Sequence, residues 1–224
     1  MEISVTEENY IKAIFKLEEF SNNDAISTND IAIKLSMQPA TVTDMIKRLA
    51  EKKIVTYKKY YGVLLTPKGK KIALTIIRKH RLWEVFLVKK LNFKWDEVHE
   101  IAEQLEHINS PELVEKLDDF LGNPKFDPHG DAIPDKDGKM RVVNSFPLST
   151  IIKKGHYVFC GVANHETKFL QYLTNLRLNL GDSIEIESIN EYDSSYKIKI
   201  DNKHCEFLSE QVASSILVSR VNEK

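Results

Sequence analysis

The chain has 224 residues, 42% hydrophobic and 29% charged, enough apolar content for packed cores in one large domain or two smaller ones and unlike collagen-like, coiled or disordered chains. Its formal net charge of −1 hides an asymmetry, because residues 1–90 carry 17 Lys+Arg against 10 Asp+Glu (+7) and residues 91–224 carry 15 against 23 (−8), a basic half suited to a polyanion ahead of an acidic half suited to cations. The apolar runs, such as 85–88, are far too short to span a bilayer, the start MEISVTEE is acidic, and Cys160 and Cys205 stand apart with no CxxC, so the expectation is a reduced, cytoplasmic protein with no membrane partner, disulfide framework or thiolate zinc site.

In chain order, the first element is a helix that Thr6 can cap, with Glu7 and Glu8 at its positive end and Ile11, Ile14 and Phe15 along it. Ser27 or Thr28 then caps a short helix bearing Ile31, Ala32 and Leu35. Ser36-Met37-Gln38 turns the chain, and Pro39 opens a second helix at the position where its missing N–H costs nothing. Val42, Met45, Ile46 and Leu49 form the inward stripe of that helix. Its opposite face presents Ala40, Thr43, Asp44 and Lys47 near the N-terminus, where a recognition helix meets base edges and phosphates. The segment 54–66 reads as two short strands around a turn near Tyr61-Gly62. Lys58, Lys59 and Tyr60 lie at its tip, placed to touch phosphate. Two helices followed by a basic hairpin make a winged helix. The candidate DNA contacts are Thr28, Gln38, Pro39, Ala40, Thr41, Thr43, Asp44, Lys47, Lys58, Lys59 and Tyr60. Asp44 repels phosphate, so it belongs on such a face only by accepting from a cytosine amino group or orienting a neighbour.

Thr66-Pro67 starts a long helix to about Lys90 that places His80 and Glu84 at i, i+4. A further helix is expected over 96–108. There His99, Glu103, Glu106 and His107 fall within one arc of about 100°, with Ile101, Leu105 and Ile108 as the core stripe opposite. A solvated polar face is the plain alternative, yet four of the seven histidines lie from His80 to His129, interleaved with carboxylates. Without a nearby thiol the donor set is nitrogen and oxygen, which suits manganese, ferrous iron or zinc. Eight of the 15 Gly and Pro residues crowd into 122–155, marking a linker. Beyond it, β-like runs at 182–189 and 196–200 and a short helix near 166–173 make a small β-rich domain.

Several motifs in register, TEENYIKAIFKLEE, PATVTDMIKRL, RKHRLWE, VHEIAEQLEHINSPELVEKL and DPHGDAIP, resemble the iron- and manganese-dependent repressors of the diphtheria toxin repressor and manganese transport regulator type over nearly the whole chain. The resemblance implies a mainly α fold with a small β domain. A winged helix-turn-helix would occupy 1–66, a helical dimerisation and metal-binding domain 67–122, a linker 123–150 and an SH3-like or FeoA-like β-barrel 151–224. It implies a homodimeric, manganese-dependent repressor of metal-homeostasis genes bound to double-stranded DNA at a palindromic operator. Fe2+ is the alternative activator, and Zn2+ can bind in vitro.

By motif, Glu103, Glu106 and His107 match the regulatory site, and Glu103 stands where iron-type members have cysteine and manganese-type members glutamate. His80, Glu84 and His99 match an ancillary site, with His80 shared between sites in some manganese-type members. Asp127 and His129 resemble further ancillary ligands, and His165 or Glu166 would reach in from the C-terminal domain. Two departures stand out: Asn9 replaces an aspartate or methionine ligand, and Lys12 replaces a glutamate that some manganese-type members add. The implied switch is a metal tether from the first helix, through Asn9, to the 103–107 segment, setting the DNA-reading heads at operator spacing. Leu82, Val85 and Phe86 would face the dimer partner, unless they are buried within one chain.

A carboxylate-bridged dimetal enzyme or metal-storage protein is the rival reading. It wants two Glu-x-x-His motifs, whereas Glu103 and His107 are four apart with no second copy, and HExxH and phosphate-cradling glycine loops are missing. The chain is therefore not expected to be an enzyme. A winged-helix regulator sensing a peptide or small molecule through its C-terminal domain is the other alternative.

Overall fold

The protein is described by a computed structural model covering residues 3–21 and 24–220. Residues 1–2 and 221–224, the ends of the first and last segments assigned from sequence, lie outside the described residues. Two compact units divide the chain. The first comprises Met1–His80, Glu103–Pro111 and Pro134–Met140, and the second Arg81–Ala102, Glu112–Ile133 and Arg141–Lys224.

In the first unit, α1 (Val5–Phe20), α2 (Thr28–Leu35) and α3 (Pro39–Glu51) precede β1 (Val55–Lys58), β2 (Gly62–Leu65) and the start of α4 (Pro67–Leu91). Helix α1 is capped by Ser4 rather than Thr6. The Ser4 hydroxyl accepts from the Glu7 N–H at 3.3 Å while Glu7 Oε2 accepts from the Ser4 N–H at 2.9 Å, a reciprocal box that Thr6 cannot form. Ser27 caps α2 by accepting from the Asp30 N–H, Ser36 ends it in the left-handed region, and Pro39 opens α3. Tyr10, Ile11 and Ile14 of α1, Ile31 of α2, and Val42, Ile46 and Leu49 of α3 close over Ile54 and Val63 as one core. Each such aliphatic side chain contributes roughly 1.5–3 kcal/mol on burial. Ile26 pairs with Val63 as an added bridge beside the hairpin. Gly62 makes that approach possible, because at φ +112 a Cβ would lie 2.8 Å from the Ile26 carbonyl oxygen.

The second unit holds the rest of α4, α6 (Pro111–Phe120) and the C-terminal sheet. That sheet is built from β3 (Phe146–Pro147), β4 (Gly155–Val162), β5 (Ser183–Ile189), β6 (Tyr196–Ile200), β7 (His204–Leu208) and β8 (Ile216–Arg220), with α7 (Thr167–Asn175) and α8 (Glu210–Ser215) between strands. The sheet is antiparallel in the order β3-β8-β4-β5-β6-β7. Register shifts at Phe159/Gly161 and Ile186/Ser188 mark bulges that curl it. Its inner face buries Phe159, Ile184, Ile186, Ile198 and Val218 with Leu170 and Leu173 of α7.

Three expectations are corrected. Helix α5 spans only His99–Leu105, so Glu106 and His107 lie in the turn after it. The Ile108 N–H bonds back to the Leu105 carbonyl, and Glu97 takes the Lys94 N–H, shortening the helix at both ends. The buried row is Val98, Ala102 and Glu106, while Ile108 is exposed, because the carboxylate of Glu106 has charged partners within the protein. Leu82 and Val85 are wholly buried against Leu117 and Ile133 of the same unit, so a dimer partner cannot use them. The 123–150 segment is not a bare linker: Phe126 pairs with Ala132, and Asp127, His129, Ala132 and Ile133 are buried.

Candidate metal centres and nucleic-acid interface

The first unit brings together side chains from α1, α4, the end of α5 and the turn after it. Glu106 is fully buried. Its Oε1 and Oε2 each lie 2.7 Å from Lys12 Nζ, and Oε2 lies 2.6 Å from His80 Nδ1. Lys12 Nζ also meets Glu103 Oε1 at 2.6 Å. His107 Nδ1 is 2.5 Å from Glu8 Oε2, and its Nε2 is 4.0 Å from Glu106 Oε1. Glu8 in turn lies 3.8 Å from Lys79 Nζ. Asn9 Oδ1 is buried without a hydrogen-bond partner. An orphaned amide oxygen on the helix that supplies Glu8 and Lys12 fits a hard cation, as does this set of imidazole nitrogens and carboxylate oxygens. Sequence reasoning missed Glu8. Its signal was its place in the first turn of α1, next to Asn9.

The second unit assembles another set. Glu84 of α4 and Asp127 and His129 of the loop after α6 are all buried, and one ligand atom of each lies within 4.8 Å of the others. His129 donates from Nε2 to the Trp95 carbonyl at 2.8 Å, which aims Nδ1 at Glu84 Oε2, 3.7 Å away. That backbone contact fixes the ring's orientation, as outer-shell partners of metal-binding histidines do. The Trp95 ring stacks on His129, and His165 meets it edge-on with centroids 5.2 Å apart. His99 Nδ1 lies 3.5 Å from Glu84 Oε1.

Beside these residues, Arg81 grips the loop through the Ala132 carbonyl and Asp131 Oδ2, and His165 Nε2 is 3.5 Å from the same Asp131 oxygen. The sequence reading missed both Arg81 and Asp131. Glu166 is exposed as the N-cap residue of α7 and stands outside the gathered set.

The loop is locked in place. Asp127 Oδ1 accepts the N–H groups of His129 and Asp131, the His129 carbonyl accepts from Val162 of β4, and Gly130, at φ +92, leaves no space for a Cβ, which would sit 2.1 Å from the Cys160 carbonyl. Its electrostatics suit a cation. Burial, then the Asp131 and Glu84 carboxylates, push the Asp127 pKa up to about 7. Burial acts to lower the His129 pKa, but Glu84 and Asp127 outweigh it and raise it to about 9. Asp131 is also opposed by burial, yet His165 and Arg81 hold it below the ordinary carboxylate range. The Glu84 carboxylate contributes to raising both Asp127 and His129.

The candidate nucleic-acid face lies on the first unit. Gln38, Pro39, Ala40, Thr41, Asp44 and Lys47 are exposed along α3, whereas Thr28 and Thr43 are half-buried. Thr43 Oγ1 donates to the Pro39 carbonyl, and Lys47 Nζ pairs with Asp44 Oδ1 at 3.2 Å, the orienting role left open for Asp44. At the wing tip Lys58 Nζ stands 3.9 Å over the Tyr61 ring and Lys59 Nζ 5.0 Å over the Tyr60 ring, with Tyr60 92% exposed. Cations spread over aromatic faces offer a flexible duplex both charge and stacking surface.

Residues 2–63 match the family described as the iron dependent repressor N-terminal DNA binding domain. Residues 66–135 match its metal binding and dimerisation domain, and 146–220 match the FeoA domain. The HTH-type transcriptional regulator MntR of Geobacillus thermodenitrificans is 34% identical over 114 residues, 51% of this chain and 79% of that protein. The iron-dependent repressor IdeR of Mycobacterium tuberculosis is 32% identical over 133 residues, 59% of this chain and 57% of that protein. The solved structure of a manganese-dependent transcriptional repressor in complex with manganese matches with a TM-score of 0.88 at 31% identity, covering 96% of this chain and 99% of that one. ScaR with bound Zn2+ matches with a TM-score of 0.77 at 33% identity, over 96% and 99%. No helix among the described residues is long and apolar enough to cross a membrane.

Proposed function

This chain belongs to the iron- and manganese-dependent repressors of the diphtheria toxin repressor and manganese transport regulator family, and we propose that as a homodimer it binds a palindromic operator of metal-uptake genes when manganese is present. It is a metal-dependent transcriptional repressor of the manganese type. The observation that carries the finer reading is the buried Glu84–Asp127–His129 set, whose ligand atoms lie within 4.8 Å of one another, in a chain that also carries a winged helix.

Division of labour follows the segments. Residues 1–66 read DNA, 67–122 hold metal and the partner subunit, 123–150 supply Asp127 and His129, and 151–224 buttress that loop through β4. Asn9, Glu103, Glu106 and His107, with His80, hold the regulatory ion; Glu84, Asp127 and His129, flanked by His99 and His165, hold the ancillary one. A divalent cation bound there supplies charge that keeps donors from distant segments together.

The chain's own residues convert that into DNA recognition. Helix α1 carries Glu8, Asn9 and Lys12 on one side and the core residues Tyr10, Ile11 and Ile14 on the other. Glu7 of α1 pairs with Lys52 at the end of α3 at 2.6 Å, so a displacement of α1 is carried to the reading helix. A 100-fold gain in operator affinity needs only about 2.7 kcal/mol of coupling.

Ferrous iron is the second reading, favoured by the similarity to IdeR; the carboxylate of Glu103 in place of a thiolate favours manganese. The test is retardation of operator DNA at matched free Mn2+, Fe2+ and Zn2+ and fixed ionic strength. Manganese is expected to activate at the lowest concentration, and equal retardation with and without any metal would contradict the proposal.

A further inference from the structure

We infer that Lys12 is the resident cation of the first centre, so that loading this centre is an exchange of one cation for another; the inference rests on the reading of Glu103, Glu106 and His107 as metal ligands. An ammonium has three N–H donors, and Lys12 directs them at three oxygens, Glu103 Oε1 at 2.6 Å and both oxygens of Glu106 at 2.7 Å. Its side chain is 8% exposed, that of Glu106 0% and that of Glu103 36%, so Lys12 sits where a bare Glu106 carboxylate would lack water and repel its neighbour Glu103.

The oxygens Lys12 holds are the ones a divalent ion requires, and a nitrogen 2.6–2.7 Å from all three leaves no room among them for a second cation. Lys12 therefore yields its place when the centre is loaded. A new partner stands one turn away. Glu8 precedes Lys12 by four residues, the order and spacing at which a helix pairs glutamate with lysine, and its present partners are Lys79 and His107, the latter itself a candidate ligand. Loading thus takes His107 from Glu8 and the carboxylates from Lys12 together, and Glu8 then pairs with Lys12 along α1. In the metal-free chain Lys12 holds α1 against Glu103 and Glu106, so the centre has two clasped states, one closed by a lysine and one by a metal.

The experiment is equilibrium dialysis of the full chain against Mn2+ with metal analysis, comparing wild type, Lys12→Met and Glu106→Ala. Methionine keeps length and removes charge. Lys12→Met is expected to bind manganese at the first centre at least tenfold more tightly than wild type, and its metal-free form to melt at a lower temperature. Glu106→Ala is expected to lose one equivalent. If Glu106→Ala keeps full stoichiometry, the assignment of the centre itself fails and takes the exchange with it. If Glu106→Ala loses an equivalent while Lys12→Met binds no more tightly than wild type, the exchange alone is overturned.

A second measurement needs no variant. Mass spectrometry after brief amine labelling of wild type should find Lys12 protected without metal and labelled several-fold faster with Mn2+. Equal labelling in both conditions would overturn the exchange, and manganese-dependent labelling would support it even if Lys12→Met failed to fold.

Discussion

In the first unit the Glu103 carboxylate faces Lys12 at 2.6 Å. Glu103→Ala should leave the helical circular dichroism unchanged while abolishing manganese-stimulated operator binding; an unaltered manganese response would place the regulatory site elsewhere. Gly130 is the second centre's pivot. A side chain there meets the Cys160 carbonyl and a disfavoured φ at once, so Gly130→Ala should cost about 3 kcal/mol or more and release one equivalent of bound metal. Thermal unfolding and metal analysis of the same sample check both effects, and retention of that metal at full stability would show that the loop is not held as described.

At this scale the sequence was partly readable. His80, Glu84, Glu103, Glu106 and His107 are candidates that spacing along two helical patterns brings forward. The Lys12 pairing did not, because it joins residues 91 and 94 positions apart and a lone lysine on a helix looks like a solvated one. Asp131 and Arg81 escaped for the same reason: their roles exist only once the loop folds back on itself.

Among the elements, α2, α3 and the hairpin were the most legible. Ser27, Pro39 and the Val42–Ile46–Leu49 stripe are local signals, and the structure places these boundaries within a residue or two of the expectation. Less legible was α5, where a periodic pattern continues past Leu105 but the backbone does not, since periodicity records which face is polar and not whether a turn interrupts it. Of the expected polar face only Glu106 is fully buried, in line with Val98 and Ala102, because charged partners from other elements meet its carboxylate. The sense of the apolar face of α4 was likewise hidden, because the sequence alone does not distinguish a partner helix in the same chain from one in another copy.

For the wing, Lys58→Ala and Lys59→Ala should each weaken operator binding by a similar factor for all sequences and reduce the slope of log affinity against log salt by about one. Retardation over a salt series measures this. A change confined to one operator sequence would mean that the wing reads bases.

For the molecule as a whole, the charge asymmetry along the chain acquires a physical meaning. The basic N-terminal portion carries the exposed α3 face and the lysine-rich wing, and the acidic remainder supplies most of the carboxylates and imidazoles gathered at the candidate metal centres. Coupling between these functions is an equilibrium property and is therefore reciprocal: whatever factor the metal adds to operator affinity, the operator must add to metal affinity. The most direct measurement is the Mn2+ affinity of the full chain with and without saturating operator DNA at fixed ionic strength. The operator is expected to tighten manganese binding by on the order of 100-fold, matching the factor by which manganese tightens operator binding. Manganese affinity indifferent to the operator would contradict it.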